Sequence, residues 1–277
     1  MLLLACSRAA TSVDLRAVAP TGRRSLVSYD PADHYERLAE NYDDTWGHRP
    51  EYVAWMNQLV FDKLRIQPSH RIADIGAGTG LFLRSLMERV TGDNPIVCID
   101  PSRLMLEQLP DDPRLHPVCA SAEAVATGEV ELPYDRVDAI VIKETVHHFP
   151  EIPKTLGGLA ERLAPGGRLL VVTLPPRLEY PLFTAALDRF AEHQPEPEFI
   201  ADSMRDAGLD VTLDHHTYTV EVDAGHYAHL VARRWMSVLS TFDDEELAAG
   251  LDEMRSRNPA GELRFPDRFA FVLGRRV

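Results

Sequence analysis

Cysteine is scarce in this 277-residue chain, with only Cys6, Cys98 and Cys119. The number is odd and no spacing is that of a CxxC pair or a metal-ligand set, which excludes a disulfide framework and fits a reducing, cytoplasmic setting. His226 and His229 sit three apart but lack further ligands nearby, so no metal is expected. Lysine occurs only at 63, 143 and 154, and the 29 basic residues are outnumbered by 43 acidic ones, for a net charge of -14. That deficit argues against a nucleic-acid partner, since binding to a phosphate backbone is driven by Lys and Arg releasing counterions. No apolar run approaches the roughly 18 residues of a membrane-crossing helix. Repeats and low-complexity tracts are also lacking. A small molecule is the partner left standing, and nothing in the sequence sets an oligomeric state.

What is present is a chain with 45% apolar residues, enough to bury a core as one elaborated domain. Its most informative stretch is Arg71–Gly80, RIADIGAGTG. Ile72, Ala73 and Ile75 read as a short buried strand, Asp74 is its one charge, and Gly76, Gly78 and Gly80 alternate through a turn. Glycine lets a backbone bend that sharply and approach a ligand that closely. Leu83, Leu86, Met87 and Val90 follow at i, i+3, i+4 and i+7, so the spacing predicts a helix starting at the glycines, with free N–H groups facing a ligand.

Residues 1–27 carry scattered arginines and one acid, weakly like a transit peptide, and are expected to be a disordered tail. Tyr35, Leu38, Tyr42 and Trp46 share one helical face and are candidates for a lid. Pro50 opens a helix with Val53, Met56, Val60 and Leu64 as its buried stripe. Strands are predicted at 95–100, 115–119, 138–143 and 168–173, with a helix around Leu156, Leu159 and Leu163 closed by Pro165 and Gly166-Gly167. Strands alternating with helices predict a parallel sheet covered on both faces. Beyond Pro175, helices are expected around Phe183–Ala191 and Phe199–Gly208. A strand over Asp210–Val222 then pairs with one over Phe269–Val272. Two helices between these strands, about Gly225–Ser240 and Asp243–Ser256, form a candidate substrate cap.

The glycine pattern is GxGxG, not the GxGxxG of dinucleotide sites, and Asp74 beside it would repel a pyrophosphate. A cofactor carrying an ammonium and a sulfonium would welcome that acid, which favours S-adenosylmethionine over NAD. Asp100, ending the next strand about 26 residues on, stands where a carboxylate accepts from ribose hydroxyls. His147 and His148 follow the carboxyl end of a strand and are candidate general bases, or simply the approach to the next helix. Glu144 beside Lys143 is either an ion pair that steers a substrate or a local pair. Arg234 falls on the apolar face of Tyr227, Leu230, Val231 and Val238, and its fork needs either a substrate carboxylate or a structural one.

RIADIGAGTG, VCIDPS, YDRVDAIVIKETVHHF and LAPGGRLLVVT together resemble the ordered motifs of class I S-adenosylmethionine-dependent methyltransferases, over about residues 33–175. YERLAENYDDTW resembles the lead-in helix of the small-molecule branch that includes the ubiquinone and menaquinone biosynthesis methyltransferases. The resemblance implies an α/β Rossmann-like fold, a seven-stranded sheet in the order 3-2-1-4-5-7-6 with the last strand antiparallel. It implies S-adenosylmethionine as cofactor, held by Asp74, Gly76, Ala77 and Gly78 at the methionine end and by Asp100 at the ribose. Pro101, Ser102 and Met105 would lie near adenine. Ser121 stands where many relatives have an acid, leaving Ala122 to supply a backbone contact. Lys143 would line the cofactor where relatives carry a small or neutral residue, and Tyr42 would close over it. His147, His148 and Glu144 are the candidate catalytic residues; Tyr35, Trp46, His147 and Arg234 are the candidates for the acceptor, which Arg234 would suit if it bears a carboxylate. The expected division is a tail at 1–27, lid and helices at 28–68, cofactor-binding core at 69–223, helical cap at 224–260 and the final strand at 261–277. The function expected is methyl transfer to a small metabolite on O, N or C. The alternatives are a silent cofactor-binding protein and a nicotinamide oxidoreductase.

Overall fold

The computed structural model describes residue 45, residues 49–259 and residues 261–277. The tail expected at 1–27 and the lid residues Tyr35, Tyr42 and Trp46 lie outside the described residues.

Runs of aliphatic residues form strands buried on both faces, as a covered parallel sheet requires. Strand β1 (Ile72–Ile75) and β2 (Ile96–Asp100) are buried at every position. They pair in parallel with β3 (Leu115–Cys119) and β4 (Val137–Lys143), and β4 with β5 (Leu163–Thr173). Two antiparallel strands, β6 (Leu209–Asp223) and β7 (Glu262–Arg276), complete the order β3-β2-β1-β4-β5-β7-β6, as the resemblance implied. Arg71 staples the amino ends of the two central strands, its guanidinium and backbone N–H both donating to Asp138 at 2.8–2.9 Å.

Around the sheet lie α1 (Pro50–Leu64), α2 (Leu83–Met87), α3 (Arg103–Leu106), α4 (Ala122–Thr127), α5 (Ile152–Glu161), α6 (Thr184–His193), α7 (Pro197–Asp206), α8 (Ala224–Ala232) and α9 (Asp244–Arg257). Helix α1 buries Tyr52, Met56, Val60 and Leu64; Val53 of the expected stripe is only half-buried. On its side of the sheet it meets Ile72, Cys98, Val141, Val172 and Phe271. Across the sheet, Ile75, Ile99, Ile142 and Val272 pack against Leu156 and Leu159 of α5 and Ile200 and Met204 of α7.

Four expected boundaries move. The helix after the glycines is a single short one: Leu83, Leu86, Met87 and Val90 are all buried, but the chain turns back after Met87, with Thr91 N–H donating to Pro68 O at 3.0 Å. The fifth strand starts at Leu163 instead of Arg168, absorbing the proline and two glycines through a register shift against β4. Strand β7 is far longer than Phe269–Val272. It pairs with β5 only from Ala270 to Arg275, so residues 262–269 have β6 as their one strand neighbour among the described residues and project past the sheet by roughly 25 Å. The first cap helix ends at Ala232, where Arg234 takes a left-handed φ of 55°, and a 3-10 turn follows at Ser237–Thr241.

That projection explains where the inserted helices go. Tyr227, Leu230 and Val231 of α8 and Leu247, Leu251 and Met254 of α9 join Phe183, Phe242 and Phe265 in the same core as α1. Asp243 caps α9 in a capping box with Glu246. The insertion is therefore packed against the extended hairpin as part of the body of the protein.

Candidate active site

The carboxyl ends of β1 and β2 and the turn between them form the first half of the site. N–H groups of Gly76 and Ala77 both donate to Ile99 O, at 2.8 and 3.0 Å, which ties the turn to the neighbouring strand. Gly76, Gly78 and Gly80 all have positive φ, at 77°, 55° and 77°. Gly78 N–H donates to one oxygen of Asp100 at 2.9 Å and Ser102 N–H to the other at 2.8 Å. Ser102 then caps α3 by accepting from Met105 N–H at 3.3 Å, and Ser121 caps α4 through Ala124 N–H at 3.2 Å. Ala122, the first residue of α4, is buried, and Pro101 O accepts from the Cys119 thiol at 3.6 Å. Both serines are thus engaged in local caps, and the five-residue α2 offers little dipole at the turn.

The Asp74 side chain is buried, and its carboxylate accepts no hydrogen bond from the described residues. Burial first, and the charge of Asp100 second, push its carboxyl up to about 7, against the pull of Lys143. Asp100 is also raised by burial, its two backbone donors pulling the other way. A pyrophosphate beside this acid pair would be repelled, whereas an ammonium would relieve it. A Cβ on Gly78 would meet no described residue within 4 Å, so the turn leaves an open cradle there. Unpaired acid, ribose-ready carboxylate and cradle fit a cofactor with the charges of S-adenosylmethionine.

The second half lies one strand over. Asp74 on β1 and Lys143 on β4 share the sheet face that α1 covers, because each alternates with residues of that core. Lys143 is half-buried, and its Nζ has no hydrogen bond or ion pair among the described residues; it rests 4.3 Å from the Phe82 ring centroid and 5.9 Å from that of Phe269. Desolvation pulls its amine down, opposed by the charges of Glu144, Asp267 and Asp74. Glu144, with φ of 54°, accepts from Leu174 N–H at 3.0 Å, and burial pushes its carboxyl up to about 7. The Glu144–Lys143 pair is therefore coupled through charge, without a direct hydrogen bond.

His147 and His148 form a 3-10 turn after β4, their rings 4.0 Å apart. His147 Nδ1 is buried without a hydrogen-bond partner among the described residues. Burial holds His148 down near 4 and His147 well below its ordinary value, so both imidazoles are neutral and weakly basic near pH 7. Arg234 is turned elsewhere: its guanidinium donates to Asp244 at 2.8 Å and to Phe242 O at 3.3 Å. Its acceptor is thus a structural carboxylate. The candidate lid residues Tyr35, Tyr42 and Trp46 are outside the described residues.

Sequence reasoning missed Asp267. This carboxylate is 1% exposed and accepts from the hydroxyls of Tyr52, at 3.0 Å, and Tyr180. Around it Tyr52, Trp55, Tyr218 and Phe269 form an aromatic cluster. The available signal was its place between Phe265 and Phe269 at strand spacing, an acid on an apolar face.

Residues 73–169 match the family described as a methyltransferase domain. Among curated proteins, the chain is 28% identical over 181 residues to the mitochondrial ubiquinone biosynthesis O-methyltransferase of Schizosaccharomyces pombe, covering 62% of this chain and 63% of that one. It is 34% identical over 127 residues to the demethylmenaquinone methyltransferase of Thermus thermophilus, covering 45% and 56%. The chain thus spans less than two thirds of the length of either relative. Among solved structures, a putative methyltransferase from an antibiotic biosynthesis pathway of Anabaena variabilis superposes with a TM-score of 0.62 at 17% identity, covering 80% of this chain and 96% of that one, a likeness of fold. Sheet order, strand-end turn and the match over residues 73–169 agree in their likeness to methyltransferase domains of class I, the kind whose cofactor is S-adenosylmethionine.

Proposed function

We propose that this chain transfers a methyl group from S-adenosylmethionine to a small-molecule metabolite. When bound, the cofactor supplies a methyl group on a positively charged sulfur. In this reading Asp74 holds the cofactor's ammonium, Asp100 its ribose hydroxyls, and Ser102, Met105 and Ala122 border the adenine. The names of the two curated relatives come from ubiquinone and menaquinone biosynthesis, so an aromatic, quinone-precursor type of acceptor is the class to try first. The aromatic faces beside Lys143 suit a flat ring. The protein's contribution is positioning of the acceptor for in-line attack and exclusion of water. An acceptor carboxylate would need no base, whereas a weakly acidic hydroxyl would.

The observation that carries this reading is the buried Asp74 carboxylate, without a hydrogen-bond partner among the described residues, beside an open glycine cradle. Calorimetry tests it: S-adenosylmethionine should bind the wild type, and Asp100→Ala and Gly78→Val should each weaken binding at least tenfold. Absence of binding to the wild type, or full binding by both variants, overturns the reading. Turnover to S-adenosylhomocysteine with a metabolite extract separates an enzyme from a silent cofactor-binding protein. Those measurements use cytosol-like reducing buffer, matching the location proposed from cysteine usage.

A further inference from the structure

Besides Asp74 and Asp100, which the reading above gives to the cofactor, four groups near the cofactor turn could take a proton from an acceptor, and three of them are committed or weak. Asp267 already accepts from two tyrosine hydroxyls. Glu144 is held by Leu174 N–H through a backbone in the left-handed region. The histidine pair is so weakly basic that it drives proton transfer poorly near pH 7. Lys143 differs from all of these: its amine ends the strand next to Asp74, has no hydrogen-bond or ion-pair partner among the described residues, and is flanked by two aromatic rings.

Resting on the methyltransfer reading above, we infer that Lys143 is the general base for a phenol-type hydroxyl, and that it exchanges its charge state with the bound cofactor during transfer. The charged groups facing its amine are Asp74 from β1, Glu144 from the end of its own strand and Asp267 from β7; Phe82 and Phe269 add no charge. Two cations crowded into this enclosed site are costly, so a bound sulfonium favours the neutral amine at Lys143. The acceptor oxygen forms its bond to the methyl carbon as the sulfur–carbon bond breaks. Sulfur keeps that electron pair and becomes a neutral thioether, and the hydroxyl proton goes to Nζ, giving an ammonium. One positive charge is present before and after; it has moved from sulfur to nitrogen. Asp74, Glu144 and Asp267 are neighbours that stabilise a cation at either place.

The scarcity of lysine makes the test direct, because protein labelled with 13C at lysine Cε gives signals from only Lys63, Lys143 and Lys154. Loss of one signal in Lys143→Met assigns it. The titration midpoint of Lys143 is then compared between complexes with S-adenosylmethionine and with S-adenosylhomocysteine, in the absence of acceptor. The expected result is a midpoint at least one pH unit lower with the sulfonium, a tenfold change in proton affinity. Equal midpoints overturn the inference. Lys143→Met should bind S-adenosylhomocysteine within threefold of wild type while kcat on a phenolic acceptor falls about 100-fold or more; a variant with wild-type kcat overturns the inference even if the midpoint moves. If the labelled wild type binds neither ligand, it is the methyltransferase reading that has failed.

Discussion

Cγ2 of Thr145 lies 2.6 Å from where a Cβ on Gly76 would stand, whereas no described residue lies within 4 Å of that position on Gly78. The two glycines of one turn are glycine for different reasons. Gly76 lets the loop after β4 pack onto the turn; Gly78 leaves room for a ligand. Gly76→Ala should therefore destabilise the apo protein by about 1–2 kcal/mol for its left-handed backbone and about 1–3 kcal/mol more for overpacking. Gly78→Ala should cost only about the first amount, yet weaken S-adenosylmethionine at least tenfold. Thermal unfolding without ligand and calorimetry with it measure the two effects, and equal stability losses would contradict the distinction.

Asp267 anchors three distant segments through Tyr52 and Tyr180. Tyr52→Phe removes one hydrogen bond to a charged acceptor and should cost about 1.5–3 kcal/mol. Asp267→Ala leaves two buried hydroxyls without this acceptor and should cost more, about 3–5 kcal/mol, as breaking a buried charged network does. Urea unfolding of the two variants checks the order; an Asp267→Ala no weaker than Tyr52→Phe would mean the carboxylate is not the hub.

Local sequence marks what is local in this fold. The apolar runs IADI and IVCID, the spaced glycines and the acids at 74 and 100 are contiguous signals, and each falls where a strand end or turn was expected. Asp267 was hidden because its partners come from residues 52 and 180, and because Pro266 beside it reads as a turn. Proline is tolerated there since, among the described residues, β7 has only β6 beside it at that point. The chain's return after Met87 and the break at Arg234 were equally hidden, because tertiary contacts set them against a helical periodicity that continues. At Lys143 the sequence marked the position, but the absence of a partner among the described residues is visible only once Glu144 is seen bonded to Leu174.

Arg234 offers a clean separation of structure from specificity. Its partner Asp244 is 98% exposed in its side chain, so the pair is worth about 0–1 kcal/mol. Its φ of 55° is one that glycine adopts freely. Arg234→Gly should leave stability within about 1 kcal/mol of wild type, the lost pair offset by relief of the backbone. Acceptor KM should stay within twofold. A tenfold rise in KM at unchanged kcat would return Arg234 to the acceptor site.

Asp74 gives the protein a pH signature that its cofactor should erase. Burial raises its folded-state carboxyl to about 7, while the unfolded chain ionises near the ordinary value of about 4. Between those values the folded state holds a proton that the unfolded state has given up. Stability from this group is therefore fully present below pH 4 and is lost as pH rises toward 7, at up to about 1.4 kcal/mol per unit. Glu144 adds a loss of the same sign, and the depressed His148 a gain on rising from about 4 toward its ordinary range, so the wild-type profile mixes them. Asp74→Asn isolates the term, because the other groups are common to both proteins. Its stability relative to wild type should climb steadily from pH 4.5 to 7 in chemical denaturation. With saturating S-adenosylmethionine the wild-type carboxylate gains an ammonium partner that favours the charged form, so its own loss with pH should shrink or vanish. A variant-to-wild-type difference that is flat across this range without cofactor would show that Asp74 is already ionised in the empty site.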